Sequence, residues 1–119
     1  MPQTRFPRRV YDRGTDPDPR FSLANERTFL AWIRTSLALL AGGVALAALP
    51  LDIPLGLRIG AVAILLGLGL AAPIYGWIAW MRNERALREA NPLHAPSLAI
   101  VIVVGLVLAG ALVATGLML

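Results

Sequence analysis

Ser97-Leu-Ala-Ile-Val-Ile-Val-Val-Gly-Leu-Val-Leu-Ala-Gly-Ala-Leu-Val-Ala-Thr-Gly-Leu-Met-Leu119 runs to the last residue without one charged side chain. A bilayer core of ~30 Å needs about 20 apolar residues at helical rise, and this stretch supplies them. Two earlier stretches have the same character. Phe29 to Leu49 carries only Arg34, and Leu55 to Met81 carries only Arg58. Helical spans are therefore expected at about 26–49, 55–81 and 97–119. A chain of 119 residues is too short to bury three such elements in a soluble core. The fold class read here is all-α, an integral membrane protein with three transmembrane helices over 18–119.

Composition agrees. The chain is 57% hydrophobic and 15% charged, with a mean hydropathy of +0.67. A soluble domain carries about 25% charged residues. There is no cysteine, which excludes disulfides and thiolate metal sites. The lone histidine, His94, cannot build an imidazole cage, and no cofactor is expected.

The charges fix an expected orientation. All 11 basic residues are arginine, and the net charge is +4. Arg5, Arg8, Arg9, Arg13 and Arg20 precede the first span, and Arg82, Arg85 and Arg88 follow the second. The turn Pro50-Leu-Asp-Ile-Pro54 has none, with Arg58 just beyond it. Arginine-rich short segments stay cytoplasmic, so the N-terminus is expected inside and the C-terminus outside. Thr35 to Ala47 resembles a signal-peptide core with its small-residue cleavage site. The region before it is too long and too mixed in charge for that, and the segment reads as a retained helix.

Residues 1–17 mix Pro2, Pro7, Pro17 and Gly14 with Arg and Asp and show no apolar period, the composition of a flexible basic arm. Asp18-Pro19 is a helix-start signal, an N-cap followed by proline at the first helical position. Ser22 is an alternative start.

Within the first helix, Arg20, Arg27 and Arg34 are spaced by sevens and drift only ~20° per step, so they form one stripe. Ala24, Ala31, Thr35, Ala38 and Gly42 lie on or beside it. An arginine in a spanning helix is costly unless it faces protein or water. Three readings of Arg34 are open: lining of a cytoplasmic vestibule, snorkelling to the headgroups, or a buried pair with Glu26 or Glu84.

The second span carries Gly56, Gly60, Ala63, Gly67 and Ala71, small residues at a spacing that lets helices approach closely in lipid. Gly105, Ala109, Gly110 and Ala114 do the same in the third. The plain reading of both is packing within one subunit. Pro73 should kink the second helix near Gly69. Tyr75, Trp77 and Trp80 suit an interfacial belt. Arg82 to Glu89 should continue the helix out of the membrane, with Glu84 and Arg88 as a solvated i,i+4 pair. Glu26 is placed to cross-pair with Arg82 or Arg85. His94, between Pro92 and Pro96, suits a turn at the headgroups.

The run Asp18-Pro-Arg-Phe-Ser-Leu-Ala-Asn-Glu-Arg-Thr-Phe-Leu-Ala-Trp-Ile-Arg-Thr35 resembles the signature of a YidH-like, domain-of-unknown-function family of small bacterial inner-membrane proteins. Its core, Ala24-Asn-Glu-Arg-Thr-Phe29, is specific, and Arg82-Asn-Glu-Arg-Ala-Leu87 extends it more weakly. The same run looks like the membrane module of the vacuolar transporter chaperone complex, which makes and moves polyphosphate. The resemblance implies a multi-pass protein of the bacterial inner membrane with a cytoplasmic N-terminus. It also implies a pentameric ring lined by first-helix basic residues, with Arg20 and Arg27 at matching positions and Arg34 without a counterpart. This chain lacks the polymerase and phosphate-sensing domains of that complex, so a polyphosphate role would run through a separate partner.

Two functions follow as expectations. The first is a homo-oligomeric membrane pore for an anion or polyphosphate, using Arg20, Arg27 and Arg34 with Asn25, Glu26, Arg82, Glu84 and Arg85 as supporting polar residues. The second is a non-conducting scaffold that binds anionic lipid headgroups or a partner membrane protein. An enzyme is not expected, because no nucleophile, base or phosphate loop is assembled and each glutamate lies among arginines. Nucleic-acid binding is not expected either, since the basic residues border a membrane and no recognition fold accompanies them.

Overall fold

The computed structural model describes residues 5–93 and 97–119. His94 lies outside the described residues. The elements are a single helical turn, α1 (Arg8–Tyr11), and three long helices, α2 (Pro19–Ala48), α3 (Leu55–Arg88) and α4 (Ser97–Met118). The three long helices are each apolar and long enough to cross a membrane, as expected from the sequence.

Helix α2 begins where Asp18-Pro19 indicates. The Asp18 carboxylate accepts the Arg20 backbone N–H at 2.9 Å, and Pro19 occupies a position whose N–H would have no helical partner. At the other end, Leu49 turns extended and Pro50 prevents continuation. The freed carbonyls are taken by Arg58 from the first turns of α3. Its Nη1 donates to Leu46 O at 3.0 Å and Leu49 O at 2.8 Å, and its Nη2 donates to Leu51 O. The arginine found at the turn end is thus consumed as a cap.

Helix α3 lies between α2 and α4 and packs on both, while α2 and α4 do not pack on each other. The α2 seam reads Asn25, Phe29, Trp32, Ser36, Leu39, Gly43 and Leu46, all buried or half-buried. Steps alternating between four and three are the a/d rhythm of knobs-into-holes packing. Gly69, Ala72, Gly76 and Ala79 of α3 are buried on the facing side. A Cβ on Gly76 would stand 2.8 Å from Trp32 Cβ, and one on Gly69 would stand 2.8 Å from Leu40 Cγ. In lipid, where apolar burial gives little drive, this close approach supplies dispersion contact.

The small residues singled out from the sequence are largely on other faces. Ala63 and Gly67 are exposed, and Gly56 and Gly67 have no neighbour within 4 Å of an added Cβ. In α4, Gly105 and Ala109 pack inward, where a Cβ on Gly105 would overlap Leu68, but Gly110 and Ala114 face outward. Subunit packing therefore uses Gly69, Ala72, Gly76 and Ala79 in place of the Ala63-Gly67-Ala71 row.

Beyond the membrane-length portion, α3 continues as helix to Arg88, as the sequence suggested. Residues 5–17, from the segment read as a flexible arm, lie against this extension. Val10, 1% exposed, is the buried residue of α1, the turn that packs on α3. Arg88 is buried and spreads its guanidinium over the segment. Nε donates to Arg13 O at 2.7 Å, Nη2 to Tyr11 O at 3.1 Å, and Nη1 to Asp16 Oδ1 at 2.6 Å. Thr15 N–H returns to Arg88 O at 3.1 Å. Gly14, at φ +57, is needed here because a Cβ would run into that same carbonyl. Residues 5–17 are thus a strap fastened to the end of α3, a long-range arrangement with no sequence period.

Candidate functional site

The f positions of the α2 seam, directly opposite the side that meets α3, are Arg20, Arg27 and Arg34. All three are exposed on the outside of the subunit. They differ in how their charge is met. Arg20 closes on its neighbour Asp18, with Nη2 2.9 Å from Oδ2. That guanidinium, together with the Arg20 backbone N–H, holds the Asp18 carboxyl below its ordinary range. Arg27 and Arg34 make no ion pair or hydrogen bond among the described residues. The buried pairing of Arg34 with Glu26 or Glu84 does not form.

Small side chains border the stripe on one side, and exposed Leu23, Leu30 and Leu37 border it on the other. Ala24, Ala38 and Gly42 are exposed beside it, and Ala31 and Thr35 are half-buried at its edge. On one flank a cleft of about 420 Å³ opens between α2 and α4, lined by Thr28, Ala31, Thr35, Ala99, Ile102 and Val103. Trp32 stands at its wall and meets the Tyr75 ring edge-on at 5.0 Å. Arg34 is two residues deeper than Trp32, ~3 Å by helical rise.

The polar residues expected to support the stripe separate into two groups. Asn25 and Glu84 meet. Asn25 Nδ2 donates to Glu84 Oε2 at 3.3 Å and to Trp80 O at 3.0 Å, and Ser22 Oγ donates to Glu84 Oε1 at 2.7 Å. Glu84 is only 3% exposed, and among the described residues no cation lies in ion-pair range. The expectation that arginines surround and pair it is corrected, because its partners are a hydroxyl and an amide from α2. Arg88 does not pair with Glu84 either, since its donors all turn to the strap.

Glu26, Arg82 and Arg85 stand elsewhere. Glu26 is exposed and unpaired among the described residues, and its cross-pair with Arg82 or Arg85 does not form. Arg85 pairs with Glu89 at 3.1 Å, one turn on, and Arg82 rests over the Tyr75 ring at 5.9 Å. Sequence reasoning missed Ser22, Ser36 and the Arg88–Asp16–Tyr11 fastening. The apolar pair Val10-Tyr11 inside a charged segment was the one available signal for the last of these.

The comparisons with known proteins agree with this architecture. The family described as Domain of unknown function (DUF202) matches residues 20–86, from the first arginine of the stripe to two residues short of Arg88. The Inner membrane protein YidH of Escherichia coli is 48% identical over 100 residues, covering 81% of this chain and 85% of that protein. The Uncharacterized protein Rv2272 of Mycobacterium tuberculosis is 48% identical over 86 residues, covering 69% of this chain and 70% of its own length. No solved structure matches significantly.

Proposed function

The chain belongs to the DUF202 family and is a multi-pass inner-membrane protein, and from that premise we propose that it assembles with copies of itself around an arginine-lined, anion-admitting vestibule. The observation that carries this reading is the state of Arg27 and Arg34. Both are exposed without acidic partners, on the side of α2 turned away from its own subunit. Against lipid tails an arginine in a spanning helix costs several kcal/mol. Facing water shared among several subunits, it keeps its hydration and presents a positive ring. Ala38 and Gly42 beside the stripe leave room for a neighbouring helix backbone.

Three helices of one chain are too few to enclose an aqueous path, so the reading requires several subunits. About five are suggested by the resemblance to the vacuolar transporter chaperone module. A positive ring selects anions, and polyphosphate is a candidate among them. The arginine-rich end is taken to face the cytoplasm by the charge bias. The reading involves no catalytic step: Glu84 is held by Ser22 and Asn25, Glu89 by Arg85, and Glu26 stands exposed on α2 without a partner among the described residues.

The test combines native mass spectrometry from nanodiscs with anion flux into liposomes. A ring of several subunits is expected, with flux lost in Arg27→Ala and Arg34→Ala while assembly persists. A monomer or dimer, or flux unchanged in both variants, would overturn the reading.

A further inference from the structure

We propose that the cleft between the strap and α3 is a binding site for one anionic phospholipid of the leaflet at the arginine-rich end. The cleft, about 510 Å³, is lined by Arg5, Phe6, Arg8, Arg9, Trp77 and Met81. Its two chemistries are divided. Arg8 and Arg9 are exposed and pair with no acid among the described residues, and no acidic side chain lines the cleft. Arg5 is partly committed, 2.5 Å from Asp16 and over the Tyr11 ring at 4.4 Å. The rest of the lining is apolar, Phe6 and Pro7 from the strap and Trp77 and Met81 from α3. Phe6, 83% exposed, stacks on Trp77 at 6.5 Å, and Trp77 stacks on Trp80 at 5.2 Å.

The depth fits a lipid. Trp77 lies 22 residues along α3 from Leu55, ~33 Å by helical rise, just past a ~30 Å hydrocarbon core. A phosphodiester would meet Arg8 and Arg9 near the level of Met81, one turn farther out, and the first methylenes of its acyl chains would run back along Phe6 and Trp77 toward the hydrocarbon core. Free phosphate would leave that apolar lining idle. A loose arm would attract an anionic surface only diffusely. Here Val10 and Arg88 fix the strap, so the arginines and the aromatic wall keep one geometry. The site is separate from the α2 stripe and does not depend on how many subunits assemble.

The test is native mass spectrometry of the full-length protein in detergent, titrated with phosphatidylglycerol and with phosphatidylcholine. Wild type should retain one phosphatidylglycerol per chain in preference to phosphatidylcholine. R8Q/R9Q should weaken that retention about thirtyfold, at roughly fivefold per arginine near an anionic headgroup. An equal loss of charge outside the cleft, R13Q/R85Q, should leave retention near wild type, and circular dichroism should show all three proteins equally helical. Equal retention of the two lipids by wild type, or equal weakening by the two double variants, would overturn the site. So would displacement of phosphatidylglycerol by equimolar inorganic phosphate, which would assign the arginines to a free anion.

Discussion

Ser36 Oγ of α2 donates a 2.6 Å hydrogen bond to the Gly69 carbonyl of α3, the carbonyl that Pro73 leaves without its helical partner. Proline has no N–H, and its place four residues after Gly69 opens one gap in the α3 ladder. A buried carbonyl in an apolar setting must be satisfied from elsewhere, and the seam puts a hydroxyl there. Absence of a side chain at Gly69 lets α2 come near enough for the bond.

That relationship predicts a thermodynamic cycle. Ser36→Ala should cost about 0.6 to 2 kcal/mol, the range of interhelical hydrogen bonds in membranes. In a Pro73→Ala background the restored N–H reaches Gly69 O itself, and Ser36→Ala should then cost close to nothing. Thermal unfolding of the four proteins in one mild detergent gives the coupling. Equal cost in both backgrounds would mean that the hydroxyl is not replacing the missing N–H.

Asn25 ties α2 to α3 through two bonds, one to Glu84 and one to the Trp80 carbonyl. Hydrogen bonds to charged groups contribute about 1.5 to 3 kcal/mol, so Asn25→Ala should lower stability by roughly that amount. Asn25→Asp should cost more at neutral pH, because it sets a second carboxylate against a buried one and removes the amide donor. If Asn25→Asp were as stable as wild type, the Glu84 contact would not be the holding interaction. The unfolding midpoint in detergent, read by circular dichroism, separates the cases.

Much of this fold was legible in the sequence, and the reasons divide by type of interaction. Span lengths follow from bilayer thickness, so α2, α3 and α4 were visible in the spacing of charges. The α2 start was visible because Asp18-Pro19 acts within one turn. The buried face of α3 was not visible. In lipid both the packed and the exposed faces are apolar, so hydrophobic periodicity carries no contrast and only side-chain size remains. Helix α3 has small residues on more than one face, and the Ala63-Gly67 row is the one that stays open. The site divides in the same way. The stripe Arg20, Arg27 and Arg34 follows from a seven-residue spacing, whereas Ser22 and Asn25 reach Glu84 from more than fifty positions away. Such pairings, like Arg88 onto the strap, leave no local pattern.

The strap should come away when Arg88 is changed. Arg88→Ala removes the donors to Tyr11 O, Arg13 O and Asp16 together. Arg88→Lys keeps the charge but not the planar fork, and should restore protection only in part. Limited proteolysis of the first 17 residues reads this directly, with the three long helices intact as the control. A strap equally resistant in Arg88→Ala would show that Val10 alone holds it.

Acid should release part of the same fastening. Hydrogen bonds from Arg5 first, and then Arg88, hold the Asp16 carboxyl below its usual 3.8. A carboxyl lowered in the folded state contributes stability that is complete above its unfolded value and lost as pH falls through the folded one. Proteolytic protection of the strap should therefore stay level through neutral and mildly acidic pH and decline only below the ordinary carboxylate range. Asp16→Asn should flatten that decline, and an onset near neutral pH would place the titrating group elsewhere.

Arg58 bears on topology because it is the single arginine at the turn end. Its guanidinium already caps Leu46, Leu49 and Leu51, so its role there is to close the α2–α3 corner. Arg58→Gln should leave orientation unchanged, with the basic residues before α2 and at the end of α3 still dominating the bias. A periplasm-dependent reporter fused after Leu119 should be active in both proteins, and a cytoplasm-dependent fluorescent fusion should be dark. Stability should respond instead, by about 1 to 3 kcal/mol for carbonyls left unpaired where water is scarce. Inverted reporter activity in wild type would reverse the orientation assigned to the arginine stripe, and inversion in Arg58→Gln alone would make Arg58 a topological determinant as well as a cap.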